Sequence, residues 1–386
     1  MKETRFKQTE IGQIPEDWVV ISLGDVGEVR MCKRIMKYQT AEKGDIPFFK
    51  ISTLGGRPDA FISRTIYESY KEKYNYPQSG DILLSAAGTI GRAVIFDGAP
   101  SYFQDSNIVW IENTESLLLN NLLYYIYRDL SWVTESGTIP RIYNSIVRSI
   151  NFPIPINKEE QSRIAAALTS IDDLILALDK LIEKKKNIKQ GSMQLLLTGK
   201  KRLKGFTDPW VEKKMGSIEI QNGAMLNSTE YKAGNIPVIA GGKQPAGYHS
   251  SSNRLANTIT ISASGANAGY ISFYKGPIFA SDCSTINEQK GISIEFLYYC
   301  LLLRQNAIYK CQTGGAQPHI HAKDIKDIGF AMPSDISEQK RIASIIESMD
   351  DEISSLETKK AKYEQVKQGM MQQLLTGKIR LIEEPA

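Results

Sequence analysis

The stretch Lys189–Leu203, KQGSMQLLLTGKKRL, returns 178 positions later as Lys367–Leu381, KQGMMQQLLTGKIRL. Set against Glu338–Leu381, the segment Glu160–Leu203 matches at about half of its positions without a gap, including Glu160/Glu338, Gln161/Gln339, Arg163/Arg341, Asp172/Asp350 and Asp173/Asp351. The same offset reaches backwards through Gly137/Gly315, Pro140/Pro318, Ile142/Ile320, Phe152/Phe330 and Pro155/Pro333. Further upstream, Ser85–Gly91 (SAAGTIG) answers Ser262–Gly269 (SASGANAG), Asp105 answers Asp282, and Trp18 answers Trp210. A chain of 386 residues that repeats itself once in this way folds as two copies of one plan. It is not a solenoid, which needs several short repeats.

The repeated segments read as long helices. Ile164, Leu168, Ile171, Ile175, Leu178 and Ile182 step by fours and threes, and so do Ile342, Ile346, Met349, Ile353 and Leu356. That spacing is a heptad seam. Pro155 and Pro333 block extension backwards; Asn157 with Glu160, and Asp335 with Glu338, have capping-box spacing. Gly199 and Gly377 suit C-caps. Some 40 residues at 1.5 Å rise make a rod of roughly 60 Å. Two such rods, separated by a globular segment, are expected to pack as an antiparallel coiled coil. The seam position of Ile182 is Lys360 in the second copy, so the seam loosens there or meets something else. Gly191 and Gly369 lie inside the helices, where glycine is costly; close approach of another helix is the expected reason.

Between the rods, short β-type runs such as DILLSAAG, AVIFDG and NIVWIE alternate with turn signals. A helix follows in each half, carrying Tyr124, Tyr125 and Tyr127, or Tyr298 and Tyr299, which read as core packing on a sheet. The expected fold class is α+β with a pseudo-twofold internal repeat. Globular mixed α/β domains at 1–156 and 201–334 alternate with helical spacers at 157–200 and 335–379, and 380–386 is a tail.

Motifs for catalysis are missing. The TGK of each repeat lacks the glycine five positions earlier and the following Ser or Thr of a phosphate-binding loop. There is no G-x-S-x-G, H-E-x-x-H or G-x-G-x-x-G. The three histidines include an alternating pair, His319 and His321, with no third metal ligand at suggestive spacing, and the four cysteines form no C-x-x-C. Asp172–Asp173 and Asp350–Asp351 fit a solvated face or a partner contact better than metal catalysis. The chain reads as non-enzymatic, with no metal and no cofactor of its own. No apolar run is long enough to span a membrane, and the N-terminus lacks a signal-peptide core, so a cytoplasmic location is expected.

What remains is a binding architecture. Net charge is only +4, so any contact with nucleic acid depends on local patches. Arg30–Lys37 (RMCKRIMK) carries four cations, and Gly241–Arg254 (GGKQPAGYHSSSNR) mixes glycines with polar side chains able to pair base edges. The set expected at DNA is Lys33, Arg34, Lys37, Lys50, Arg92 and Arg141 in the first domain. In the second it is Lys243, Gln244, Tyr248, His249, Arg254, Asn267 and His319. A DNA-free structural adaptor and an enzyme with an unfamiliar site are the rival classes.

The order of motifs resembles the specificity subunit of type I restriction-modification systems. The pieces that carry the resemblance are FKQTEIGQIPEDW, GDILLSAAGTIGRAVIF, TGGAQPHIHAKDIKDIGFAMP and the doubled EQSRIAA…LLTGK and EQKRIAS…LLTGK. The resemblance implies two target-recognition domains reading the halves of a bipartite site in double-stranded DNA. It also implies an antiparallel pair of helices that spaces them and docks two modification subunits, which carry S-adenosylmethionine. Restriction subunits, which use ATP, join through that complex. The first domain has Ile139 in GTIPRI where the second has Gln317 in GAQPHI, so any fixed role of that glutamine is met otherwise in the first.

Overall fold

The computed structural model describes residues 5–88, 90–132 and 144–382; Arg141 and the GTIPRI segment lie outside the described residues. The chain divides into two compact units, one formed by Met1–Ala177 with Lys360–Ala386 and the other by Leu178–Lys359. The division cuts both long helices, Lys158–Leu196 and Ile336–Leu374, so each unit holds the start of one and the end of the other.

In the first unit a four-stranded antiparallel sheet runs in the order Gly27–Arg30, Ile108–Asn113, Ile82–Ser85, Ala93–Ile95. Strand side chains alternate between faces, and both faces here are covered. Ile82, Leu84, Val109 and Ile111 enter a core shared with the helix Asn120–Asp129 and with Ile164 and Leu168 of the long helix. Leu83, Ile108 and Trp110 enter a second core behind the sheet. That second core is closed by a small sheet in which Ile46–Phe49 pairs antiparallel with Phe61–Ile62 and parallel with Tyr102–Phe103.

The second unit repeats this topology. Its four-stranded sheet is Gln221–Asn222, Cys283–Ile286, Thr258–Ser262, Ile271–Tyr274. Its small sheet pairs Ile236–Ile239 antiparallel with Gly247–His249 and parallel with Phe279–Ala280. Ile259 and Ile261 face the core containing Phe296, Leu297, Ile342 and Ile346. The alternate positions, Thr258, Thr260 and Ser262, are buried but polar, and the rear core is correspondingly small. Tyr125, Tyr127 and Tyr299 are buried, as core packing requires.

Within each unit the two helix halves run antiparallel. Of the seam residues, Ile164, Leu168, Ile171, Leu178, Ile182, Ile342, Ile346 and Ile353 are buried, and Ile175, Met349 and Leu356 are half-buried. Toward the helix ends the seam merges with the domain cores: Ile164 and Leu168 cluster with Met371 and Leu374, and Ile342 and Ile346 with Met193 and Leu196. Ion pairs mark the register: Lys367–Asp172 in the first unit, Lys189–Asp350 and Lys186–Glu357 in the second. The first aspartate of each pair, Asp172 or Asp350, is thus used between helices. Lys360, at the interrupted seam position, pairs with Glu364 one turn on.

Two expectations for the helices need correction. Asn157 and Asp335 do accept from backbone N–H groups, of Glu159 and Ser337 at 2.8 and 2.7 Å. Glu160 and Glu338, however, do not complete capping boxes. Glu160 binds the guanidinium of Arg380, which also grips Asp17 and lies over the Trp18 ring. Glu338 binds Arg202, which lies over Trp210. A buried carboxylate gains more from a guanidinium than from a single amide. The second correction concerns Gly191 and Gly369: a Cβ at either would meet nothing within 4 Å, so no helix among the described residues approaches closely there.

The terminal glycines behave as expected. Gly199 and Gly377 have φ of +69° and +70°, a region that favours glycine. A Cβ at Gly199 would also press on Trp210 at 3.0 Å, and one at Gly377 on Pro15 at 2.5 Å.

Candidate nucleic-acid interface

In the first unit, hydrogen bonds gather four loops at one edge of the fold. Arg34 pairs with Asp105 at 2.8 Å, the Ile51 amide donates to Gln104 Oε1, and Arg92 donates to the Leu54 carbonyl. Lys50 is held by Asp59 at 2.8 Å. Residues Lys33, Arg34, Lys73, Tyr74, Asn75 and Asp105 line an open cleft of about 460 Å³. Lys33 Nζ lies 5.3 Å from the Tyr74 ring centre, and Lys37 is exposed. Tyr38 beside it is 86% exposed, unusual for so large a ring.

Chemically the cleft offers mobile ammonium groups and one restrained guanidinium. Asp105 offsets Arg34, leaving Lys33 and Lys73 as the cleft's cations without an ion pair among the described residues. Burial pushes the Cys32 thiol up to about 12, so it is a packing group and not a nucleophile.

In the second unit the corresponding loops gather around Ser264, which bonds Asp282 and bridges to His319. Lys243 Nζ sits 5.4 Å from the Tyr270 ring centre, Gln244 is exposed, and Tyr248 is 58% exposed on its strand. Asn267 is half-buried in the turn that its carbonyl closes by accepting from Tyr270 N–H. His319 is half-buried and joined through its backbone to Thr313.

Two expected contact residues are turned inward. His249 is buried against Phe279, its Nδ1 bonded within the Ser251 turn. Arg254 spends its donors on Thr285 Oγ1 and the carbonyls of Asn253 and Asn222, tying a loop to the sheet edge. His321 opens a short 3-10 turn, and no cluster of metal-ligating side chains occurs among the described residues.

Sequence reasoning missed Lys73, Tyr74 and Asn75. Their signal is the basic last turn of the helix Arg64–Lys73, which carries Lys71 and Lys73. It also missed Arg202 and Arg380, although both recur at the repeat's own offset.

The family model for the type I restriction modification DNA specificity domain matches residues 15–190 and again residues 207–368. The chain belongs to that family. The double match coincides with the doubled topology.

Two curated specificity subunits are similar. A Haemophilus influenzae protein described as a putative type I restriction enzyme specificity subunit is 53% identical over 174 residues, 45% of each chain. The chain therefore spans about half the length of that relative. A Methanocaldococcus jannaschii specificity subunit is 26% identical across 98% of both chains. Among solved structures, a Mycoplasma genitalium type I restriction-modification S subunit superposes with a TM-score of 0.67 at 18% identity, over 96% of this chain and 98% of that one. No helix among the described residues is long and apolar enough to cross a membrane.

Proposed function

We propose that this chain is a non-catalytic specificity subunit that reads a bipartite, asymmetric site in double-stranded DNA and docks two modification subunits. Each globular unit reads one half-site, and the long helices set the degenerate gap between them. S-adenosylmethionine belongs to the modification subunits, and ATP to restriction subunits that join through the modification–specificity complex. The assembly works in the cytoplasm.

The observation that carries this reading is a shared sheet topology and helix frame combined with different loops. One plan with two loop sets suits two different DNA words. Half-sites of about three to five base pairs, about one helical turn or roughly 34–36 Å apart, follow from two readers on one face of the duplex. Lys33, Arg34 and Lys37 hold phosphates, and Lys243, Gln244 and Tyr248 lie where base edges or backbone are within reach.

The test is to replace residues 201–334 with the matching domain of another specificity subunit and map methylated adenine genome-wide. One half-site should change while the other stays; change in both or in neither refutes the assignment. Four residues inserted after Leu178 should lengthen the preferred gap. Alanine at Lys33, Arg34 and Lys37 should flatten the salt dependence of DNA binding.

A further inference from the structure

The loop that leaves the first strand of each four-stranded sheet is built to one pattern. In the first unit the chain runs from Gly27–Arg30 into the 3-10 turn Lys37–Gln39, and in the second from Gln221–Asn222 into Ser228–Glu230. Trp110, two residues past the partner of Ser85, pairs with Arg30; Thr285, two past the partner of Ser262, pairs with Gln221. Counting on from Arg30 and from Gln221 brings Met36 level with Asn227. The Met36 N–H donates to Gln39 Oε1 and the Asn227 N–H to Glu230 Oε2, both at 2.8 Å. The Gln39 and Glu230 N–H groups donate back to the carbonyls of Met36 and Asn227, both at 2.9 Å.

On this common frame the outward residues differ. Lys33, Arg34, Lys37 and Tyr38 correspond to Ala224, Met225, Ser228 and Thr229, all of them exposed. The capping side chain is neutral Gln39 in one turn and anionic Glu230 in the other. Tyr38 is 86% exposed, and among the described residues its ring makes no hydrogen bond and no ring contact. The turn beneath it is fixed. Gln39 Nε2 donates to the Tyr70 hydroxyl on the helix Arg64–Lys73, and Thr40 Oγ1 to the Lys37 carbonyl. Ala41 bridges to Phe61. An aromatic ring held out on a rigid turn loses little entropy when a ligand covers it.

We propose that Tyr38 is the stacking residue of the first half-site: its ring lies against the face of a base, while Lys33 and Lys37 hold the flanking phosphates. This rests on the reading of the chain as a DNA specificity subunit. Stacking uses the face that every base has, and the neighbouring cations fit the backbone beside it. A duplex covers its base faces, so the ring meets one only where a step opens. Pyrimidine–purine steps open most readily. Tyr38 thereby selects sequence without reading a base edge, and the first word carries such a step. The second turn has no cation at the matching positions, and the Glu230 carboxylate repels phosphate. The opened step is confined to one half of the site.

The test is selection from a pool of duplexes with a randomised centre, by the full chain together with its modification subunits. The parent should select two words, the first containing a pyrimidine–purine step; exchange of residues 201–334 identifies which word is which. Tyr38→Ala should lose the preference for that step and leave the second word as it was. On a duplex carrying the parent's selected site, Tyr38→Ala should bind roughly tenfold to a hundredfold more weakly. Its salt slope should match the parent's, because stacking releases no counterions. Tyr38→Phe and Thr229→Ala should bind as the parent does. Undiminished binding by Tyr38→Ala, an equal loss in Tyr38→Phe or a flattened salt slope would each overturn the proposal. So would a first word without the step. Weaker capture of modification subunits with DNA affinity intact would overturn it too, and give the ring to a protein contact. A parent that selects no word at all removes the DNA reading itself.

Discussion

The two arginine nodes are the same device built to different completeness. In the first unit Arg380 reaches both oxygens of Glu160 and both of Asp17, and the Trp18 indole N–H donates to Glu160. In the second unit Arg202 reaches Glu338 alone. Pro209 precedes Trp210 where Asp17 precedes Trp18, and the Trp210 indole nitrogen is buried without a hydrogen-bond partner among the described residues. The repeat supplies glutamate and arginine to both nodes, and the non-repeated entrance to each domain decides whether the node is finished. A finished node costs more to break, because removing its cation undoes contacts to two carboxylates and not one.

The largest expected effect follows from that difference. Arg380→Ala leaves Glu160, 1% exposed, without its cation, and should cost about 3 kcal/mol of first-unit stability. Arg202→Ala should cost its unit less. Denaturant-dependent hydrogen exchange, resolved by unit, reads both; equal losses would show that the Asp17 contacts add nothing.

Next in size are the central glycines. With open space at each Cβ, Gly191→Ala and Gly369→Ala should each stabilise the isolated chain by about 0.5–1 kcal/mol through helix propensity. Thermal unfolding measures this, and a loss at either position would show a contact that the open face does not display.

A smaller effect concerns pH. The Arg380 guanidinium holds the Asp17 carboxyl below its usual range. A carboxyl with a lowered folded-state pKa contributes stability above its ordinary value near 4, and that contribution vanishes as pH falls through the folded value. Asp17 is largely exposed, so Asp17→Asn should cost less than about 1 kcal/mol at pH 7. The variant and parent should converge as pH falls through the lowered Asp17 value. A difference that persists in acid would assign the effect to packing.

The finest comparison is chemical. Burial pushes Cys32, Cys283 and Cys300 each to about 12. At pH 7.5 iodoacetamide should therefore label Cys311, which is half-buried, well before the other three. Peptide mass spectrometry reports the order, and early modification of Cys32 would show that the first-unit cleft opens.

Much of this was legible in the residues. Heptad spacing located both helices to within a few residues, and short β-type runs between turn signals located the strands Ile82–Ser85 and Ile108–Asn113. The function of the repeated EQ pair was not. Gln161 donates to the Pro155 and Leu117 carbonyls and accepts from Leu119, and Gln339 does the same with Pro333, Gly291 and Ser293. Glu160 finds its arginine 220 positions away. Local rules assign a helix-start glutamate to its own cap because they contain no such distant partner. Exposure of the loops was legible at Lys33, Lys37, Lys243 and Gln244. It was misread at His249 and Arg254, whose polar groups satisfy buried backbone and turn atoms. Composition does not distinguish a loop that faces outward from one folded onto its own sheet.

The placement of Arg380 also bears on how the chain is made. The first unit draws on Lys360–Ala386, whereas the second is complete at Lys359. During synthesis the domain that emerges first from the ribosome must wait, its Glu160 and Trp18 uncovered, until Arg380 has followed. The domain translated later can close ahead of it. Order of translation and order of completion are inverted, and the waiting half is the one exposed to proteases and chaperones.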